Sequence, residues 1–262
     1  MVTIRNLLDN SNVNVVDQKG NIQILEYLQD KSVDAANAMH EYFASKMNSR
    51  KRQALITLQQ EGFVISAGAM QWIAGDVSAG TDVKGVGDLF GKALRGAVSK
   101  ESVVKPRYYG TGYLMLEPTY KYLIIEDIGA WRDGMVLDDG LFLGCQDQIQ
   151  QKTVARKSVS SALLGNEGLF NLSLVGNGYA IIESPVPREE LIEIELQNDE
   201  IRIDGNYAVA WSASLSFTVE KTTKSLVGSA ASGEGLVNVY RGTGRVLIAP
   251  VEASRYETRQ AD

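Results

Sequence analysis

Residues 108–118 read YYGTGYLMLEP, a pair of glycines around one small residue, followed by a short apolar run that closes on a proline. Alone, the stretch fits either a ligand-cradling loop or a tight turn between two strands. It recurs along the chain. GNGYAIIESP occupies 176–185 and GTGRVLIAP 242–250, so the leading glycines Gly110, Gly176 and Gly242 are spaced by 66 and 66 residues. Each copy ends at a proline, Pro118, Pro185 or Pro250, out of only five in the chain.

The recurrence extends upstream, and a sequence period of this length has to be read before any other feature. KSVSSALLGNEGLFN from Lys157 and KSLVGSAASGEGLVN from Lys224 share Lys, Ser, Glu, Gly, Leu and Asn at a constant offset, while GAVSKESVVKP keeps only Glu101 in register. A third element appears as LITLQQEGFVISAG from Leu55, YLIIEDIGAWRDGMVLDDGLFLG from Tyr122 and LIEIELQNDEIRIDGNYAVAW from Leu191. Each is a β run that bends at an acidic residue followed by glycine and continues into another strand. The units are therefore 53–118, 119–185 and 186–250, the first lengthened by an insertion at 75–100. An N-terminal arm and helix (1–52) precede them and a polar tail (251–262) follows.

Alternation points to strands throughout. In LFNLSLV, Phe170, Leu172 and Leu174 fall on one face while Asn171 and Ser173 fall on the other. Between such strands the glycine pairs Gly110/Gly112, Gly176/Gly178 and Gly242/Gly244 read as hairpin turns, because glycine accepts the positive φ angles a tight turn requires. Three identical loops are also more than one ligand site needs. Two helices are expected. One follows Ser32 as N-cap, with Ala36, Met39, Phe43 and Met47 as an apolar face packed against the sheets; the other is short and lies in the glycine-rich insertion. The fold class is all-β, with three units around a pseudo-threefold axis.

Composition narrows the function. A formal charge of −6 works against a broad nucleic-acid or anionic-membrane surface. No apolar run reaches the roughly 20 residues of a membrane span, and the N-terminus has neither a signal-peptide core nor a transit sequence, so a cytoplasmic location is expected. The lone cysteine, Cys145, excludes an intrachain disulfide and sits in an apolar context that keeps a thiol inert. His40 is the only histidine, so HEYFA cannot complete a zinc helix motif and no multi-histidine metal site can form. GVGDLFGK (85–92) has neither the glycine spacing nor the Ser/Thr of a phosphate loop. No cofactor is expected. The basic run Arg50, Lys51 and Arg52 fits charges placed at a helix C-terminus, and with Trp131 on an exposed turn it is the candidate interaction surface.

The stretches GNEGLFNLSLVGNGYAIIESP and GEGLVNVYRGTGRVLIAP, with GAMQWIAGDV upstream, resemble the altered-inheritance-of-mitochondria proteins over Gln53 to Pro250. The resemblance implies tandem copies of a compact double-stranded β-helix or sandwich similar to the tryptophan RNA-binding attenuation protein, a fold known for assembling into rings. It supplies no catalytic residues. The expectation is a non-enzymatic scaffold or binding module forming a homo-oligomer, with no nucleic-acid partner. RNA binding by fold analogy and a small-ligand or enzymatic site between units are the alternatives.

Overall fold

The computed structural model describes residues 2–80, 105–155, 157–158, 170–221 and 236–251. The helix expected in the glycine-rich insertion, the GVGDLFGK stretch and the tail beyond residue 251 lie outside them. Among the described residues the protein is mostly β-strand with one α-helix. In chain order the elements are β1 (Val13–Lys19), β2 (Ile22–Tyr27), α1 (Ala38–Lys46), β3 (Arg52–Ile65), β4 (Met70–Gly80), β5 (Arg107–Leu116), β6 (Tyr122–Asp127), β7 (Met135–Leu137) and β8 (Phe142–Gln146). They continue with β9 (Gln150–Ala155), β10 (Lys157–Ser158), β11 (Phe170–Val175), β12 (Tyr179–Ser184), β13 (Ile192–Asp204), β14 (Ala208–Ser212), β15 (Ser216–Lys221) and β16 (Leu236–Ile248).

Among the described residues these strands form two eight-stranded sheets. The first runs β1-β2-β3-β8-β12-β6, with β5 also on β3 and β4 on β5; the second runs β10-β15-β16-β14-β7-β11-β9, with β13 on β16. The N-terminal stretch is thus more than an arm, since β1 and β2 form a hairpin that pairs with β3. Residues 75–80, expected in the insertion, continue β4.

One hydrogen-bonding register appears in three places. Leu114 of β5 pairs with Ile56 on one side and Ile73 on the other. Ala180 of β12 pairs with Glu126 and Cys145, and Val246 of β16 with Ile194 and Trp211. A β-bulge accompanies each: the pairing skips Gln71, Leu143 and Val209 respectively. A bulge adds local twist and bends its strand.

The glycine pairs are not hairpin turns. Gly110 and Gly112 lie in the middle of β5, and Gly242 and Gly244 in the middle of β16. Gly176 and Gly178 join β11 of the second sheet to β12 of the first. They are corners. Gly110, Gly176 and Gly242 have φ of 136°, 123° and 128°, values an L side chain resists. Gly244, expected to be left-handed, is not among the positive-φ glycines. At Gly110 a Cβ would also run into the Asp76 carbonyl oxygen of β4, so the corner is crowded as well as bent.

The corners let β6 and β12 lie between two cores. Leu123, Ile125 and Ile181 pack with Ile56, Leu114 and Leu116, whereas Ile124, Ala180 and Ile182 pack with Leu247 and Ala249 on the opposite face. Continuous apolar runs are what strands covered on both faces require. Each fully buried Leu or Ile side chain contributes about 1.5–3 kcal/mol. On the other face of β3 and β5, Leu7 and Val13 of the N-terminal segment, with Leu25 of the neighbouring β2, pack with Leu55 and Met115.

Candidate functional site

The β1–β2 hairpin turns at Gly20 and Asn21, where Gly20 has φ of 56° and a Cβ would press on the Tyr179 ring. That turn places Asn21 beside β3 and β8 and opens a groove of about 450 Å³, lined by Gln18, Asn21, Gln23, Gln59, Glu61 and Gln146 among others. The side chains form a chain of hydrogen bonds. Nε2 of Gln146 donates to Oδ1 of Asn21 at 3.0 Å, and Nδ2 of Asn21 donates to Glu61 at 3.2 Å. Oε1 of Gln146 accepts from the Tyr179 backbone N–H at 2.9 Å and from Gln148 at 3.2 Å. Side-chain amides carry both donors and acceptors and no charge. Such a lining offers hydrogen bonds to hydroxyl or amide groups and presents a single carboxylate, Glu61. The amides are spread over three distant segments, so no local motif marks the groove in sequence. The one local signal is Gly-Asn between two alternating runs, which marks the hairpin itself.

The basic run is placed differently from the expectation. Arg52 is buried at 2% exposure, and Oε2 of Glu26 accepts from its Nε at 2.9 Å. Oε1 of Glu26 accepts from Arg50 Nη1 at 2.8 Å. Nη1 and Nη2 of Arg52 donate to the carbonyls of Arg50, Tyr120 and Asn48, and its guanidinium lies 4.0 Å from the centre of the Tyr122 ring. Lys51 pairs with Asp30 at 3.4 Å and covers Tyr27. Together these residues clamp β2, β3 and the segment before β6. They are not spare charges at the end of a helix, because each has found a carboxylate within the fold.

Trp131 is likewise inside, at 2% exposure, in a short 3₁₀ turn (Ile128–Trp131) between β6 and β7. Its indole N–H donates to Glu126 at 3.2 Å, and the Arg245 guanidinium stacks on its ring at 4.1 Å. Arg188 joins Glu126 to Glu193, and Arg245 also reaches Glu193 at 3.0 Å. Burial alone would raise the Glu193 pKa, but hydrogen bonds from Arg188 and Arg245 outweigh it and hold the carboxyl below its usual range. A buried indole with its N–H satisfied is a packing residue, and here it ties β6 to β13 and β16.

Helix α1 departs most from expectation. It begins after Asn37, not Ser32, whose hydroxyl instead donates to Asp30. None of its residues is buried: Met39, Phe43 and Met47 are 73%, 60% and 81% exposed. Of the expected apolar face only Met39 and Phe43 lie within the helix, since Ala36 precedes it and Met47 is its C-cap, and nothing among the described residues covers them. No helix among those residues is long and apolar enough to cross a membrane.

A sequence model of the mitochondrial biogenesis AIM24 family matches residues 45–251. The chain belongs to the AIM24 family. The match begins in α1 and ends just past β16, so it takes in every strand except the β1–β2 hairpin. This AIM24 chain is 28% identical over 210 residues to an uncharacterised protein of Streptococcus pyogenes serotype M6, covering 77% of this chain and 82% of that one. A crystal structure of a Streptococcus pyogenes protein superposes with a TM-score of 0.59 at 22% identity, covering 94% of this chain and 96% of that one. At that identity the likeness is one of fold.

Proposed function

We propose that this AIM24-family chain is a non-enzymatic cytoplasmic scaffold or binding module, made of three copies of one three-stranded unit, that self-associates. In each unit the last strand lies between the first and the middle one: β5 between β3 and β4, β12 and β11 between β6/β7 and β8/β9, β16 between β13 and β14/β15. The shared register and the shared bulge support the copy relationship. The observation that carries self-association is that β4 and β13, long strands at the two ends of this arrangement, are each hydrogen-bonded along one edge only among the described residues. Unpaired edges recruit strands. Size exclusion with light scattering is the test: a species larger than one chain is expected, and a single species of one-chain mass overturns the reading.

A second reading rests on the amide-lined groove, whose position against the N-terminal hairpin, β3 and β8 suits a small neutral ligand bearing hydroxyl or amide groups. Thermal shift across polyols, sugars and short peptides tests it, with Gln146→Ala as the variant that should lose any shift. RNA is the less favoured partner. Its phosphates need free cations in a stripe, and Arg50, Arg52, Arg188, Arg241 and Arg245 are each held by carboxylates. Retention on heparin at physiological salt would reverse that preference.

A further inference from the structure

Two contacts of one kind join the three units. The second half of β3 pairs antiparallel with β8, setting Phe63 opposite Gln146, Val64 opposite Cys145 and Ile65 opposite Gly144. β7 pairs in the same sense with β14, setting Met135 opposite Ser212, Val136 opposite Trp211 and Leu137 opposite Ala210. The donor segments hold equivalent places, since Phe63 pairs with Tyr108 and Met135 with Leu174, each two residues before a corner glycine. By that count the third donor segment is Ile201–Ile203, because Ile201 pairs with Tyr240, two residues before Gly242. The receiving segments are equivalent in turn. Cys145 and Trp211 lie opposite Ala180 and Val246, each four residues beyond a corner glycine, and the residue so placed on β4 is Ile73, opposite Leu114. The third receiving segment is therefore Trp72–Ala74.

Neither of these last two segments makes the contact within the chain: among the described residues β13 is bonded only to β16 and β4 only to β5, and they belong to different sheets. The faces cannot close on each other as they do between the other units. Leu55 and Met115, which occupy the positions of Ile125 and Ile181, are already covered by Leu7, Val13 and Leu25 of the N-terminal segment. What remains open is the pair of edges.

We propose that β13 of one copy pairs antiparallel with β4 of a second copy, with Ile201 opposite Ala74, Arg202 opposite Ile73 and Ile203 opposite Trp72. This rests on the self-association reading above and names its interface. The contact repeats one the chain already makes twice, so it needs no new backbone geometry. Both internal examples are three pairs long, and the same length is enforced here. A longer ladder would set Asp199 against Asp76, like charges directly opposite, which disfavours extension. Glu200, by contrast, falls opposite Gly75, where no side chain opposes it. The two surfaces differ, so the contact is head-to-tail and builds a ring where the rotation closes.

The experiment uses the full chain with Ile73→Cys in one preparation and Arg202→Cys in another. The native thiol does not interfere, because Cys145 is fully buried. Directly opposed residues of antiparallel strands lie within disulfide reach. Mixed under mild oxidation, the two variants should give a two-chain product that neither gives alone and that Ser78→Cys in place of Ile73→Cys does not give. A larger species by light scattering with no cross-link in the mixture overturns this interface while leaving self-association standing. A one-chain mass by light scattering sinks both. A disulfide formed inside single chains of the Ile73→Cys, Arg202→Cys double variant shows that the two edges meet within one molecule, which also overturns the proposal.

Discussion

Oε2 of Glu26 accepts a hydrogen bond from Nε of Arg52 at 2.9 Å and lies 2.7 Å from its Nη2, with the two residues 7% and 2% exposed. Removing one member of a buried pair strands the other's charge, which costs about 3–5 kcal/mol. Glu26→Gln and Arg52→Met should each lower unfolding free energy by that order in urea titrations. The double variant Glu26→Leu, Arg52→Met should cost clearly less than the sum, because neither charge of this pair is then buried alone, and Arg50, which also bonds Glu26, is part-exposed and can turn to solvent. Additive losses would show that the pair is not a unit.

The corner glycines make a second comparison. Gly110 and Gly242 have nearly equal φ, 136° and 128°, but different surroundings. A Cβ on Gly110 meets the Asp76 carbonyl oxygen, whereas on Gly242 the nearest atoms are 3.6 Å away. Gly242→Ala therefore bears backbone strain alone, about 1–3 kcal/mol. Gly110→Ala bears the strain and must also push β4 aside. Thermal melts should rank Gly110→Ala well below Gly242→Ala, and equal melting temperatures would show that crowding at the β5 corner is relieved without cost.

Asp30 gives a pH dependence. The Ser32 hydroxyl, then the Ser32 backbone N–H, the Tyr120 hydroxyl and Lys51, hold its carboxyl well below the usual 3.8 against the opposing effect of burial. A depressed folded-state pKa contributes stability that is complete above the unfolded value and is lost as pH falls through the folded one. Asp30→Asn should therefore be less stable than the parent at pH 7, with the gap closing progressively below about pH 4. A gap that stays constant down to pH 2 would contradict the assignment.

Cys145 is chemically silent while the fold lasts. Burial, the largest influence, pushes its thiol up to about 12, and it is the thiolate that reacts. At pH 8 an alkylating reagent should leave the native protein unmodified over hours and label it completely in denaturant. Rapid native labelling would mean that β8 opens from β12 and β3 without global unfolding.

The recurrence of G-x-G at a spacing of 66 residues marked the three corners, because an unusual φ demands glycine wherever it occurs. What G-x-G does not encode is whether the chain reverses or merely bends, since both need the same backbone freedom. That was settled by partners far away in sequence, β4 and β3 for Gly110 and β13 for Gly242. The apolar runs 123–125 and 180–182 are continuous because two cores enclose them. Arg50 and Arg52 find their carboxylate in Glu26, far off in sequence, and the indole of Trp131 finds Glu126, and nothing local distinguishes a paired group from a free one. The amide groove leaves no local mark for the same reason: its residues come from three segments that only the tertiary fold brings together.

Helix α1 supplies the last prediction. Met39 and Phe43 of α1 and Met47 at its C-cap are all exposed, and α1 lies between β2 and β3 with none of its residues buried. A core position such as Leu114, at 0% exposure, should lose about 2–5 kcal/mol on truncation to alanine. Exposed positions away from caps and ion pairs change stability by no more than about 0.5 kcal/mol. The triple variant Met39→Gln, Phe43→Gln, Met47→Gln should thus melt within about five degrees of the parent, while Leu114→Ala falls far below both. Light scattering on the same triple variant separates two surfaces. An interface made by β13 and β4 predicts an unchanged assembly, whereas dissociation on removing this apolar face would place the subunit contact on α1 instead.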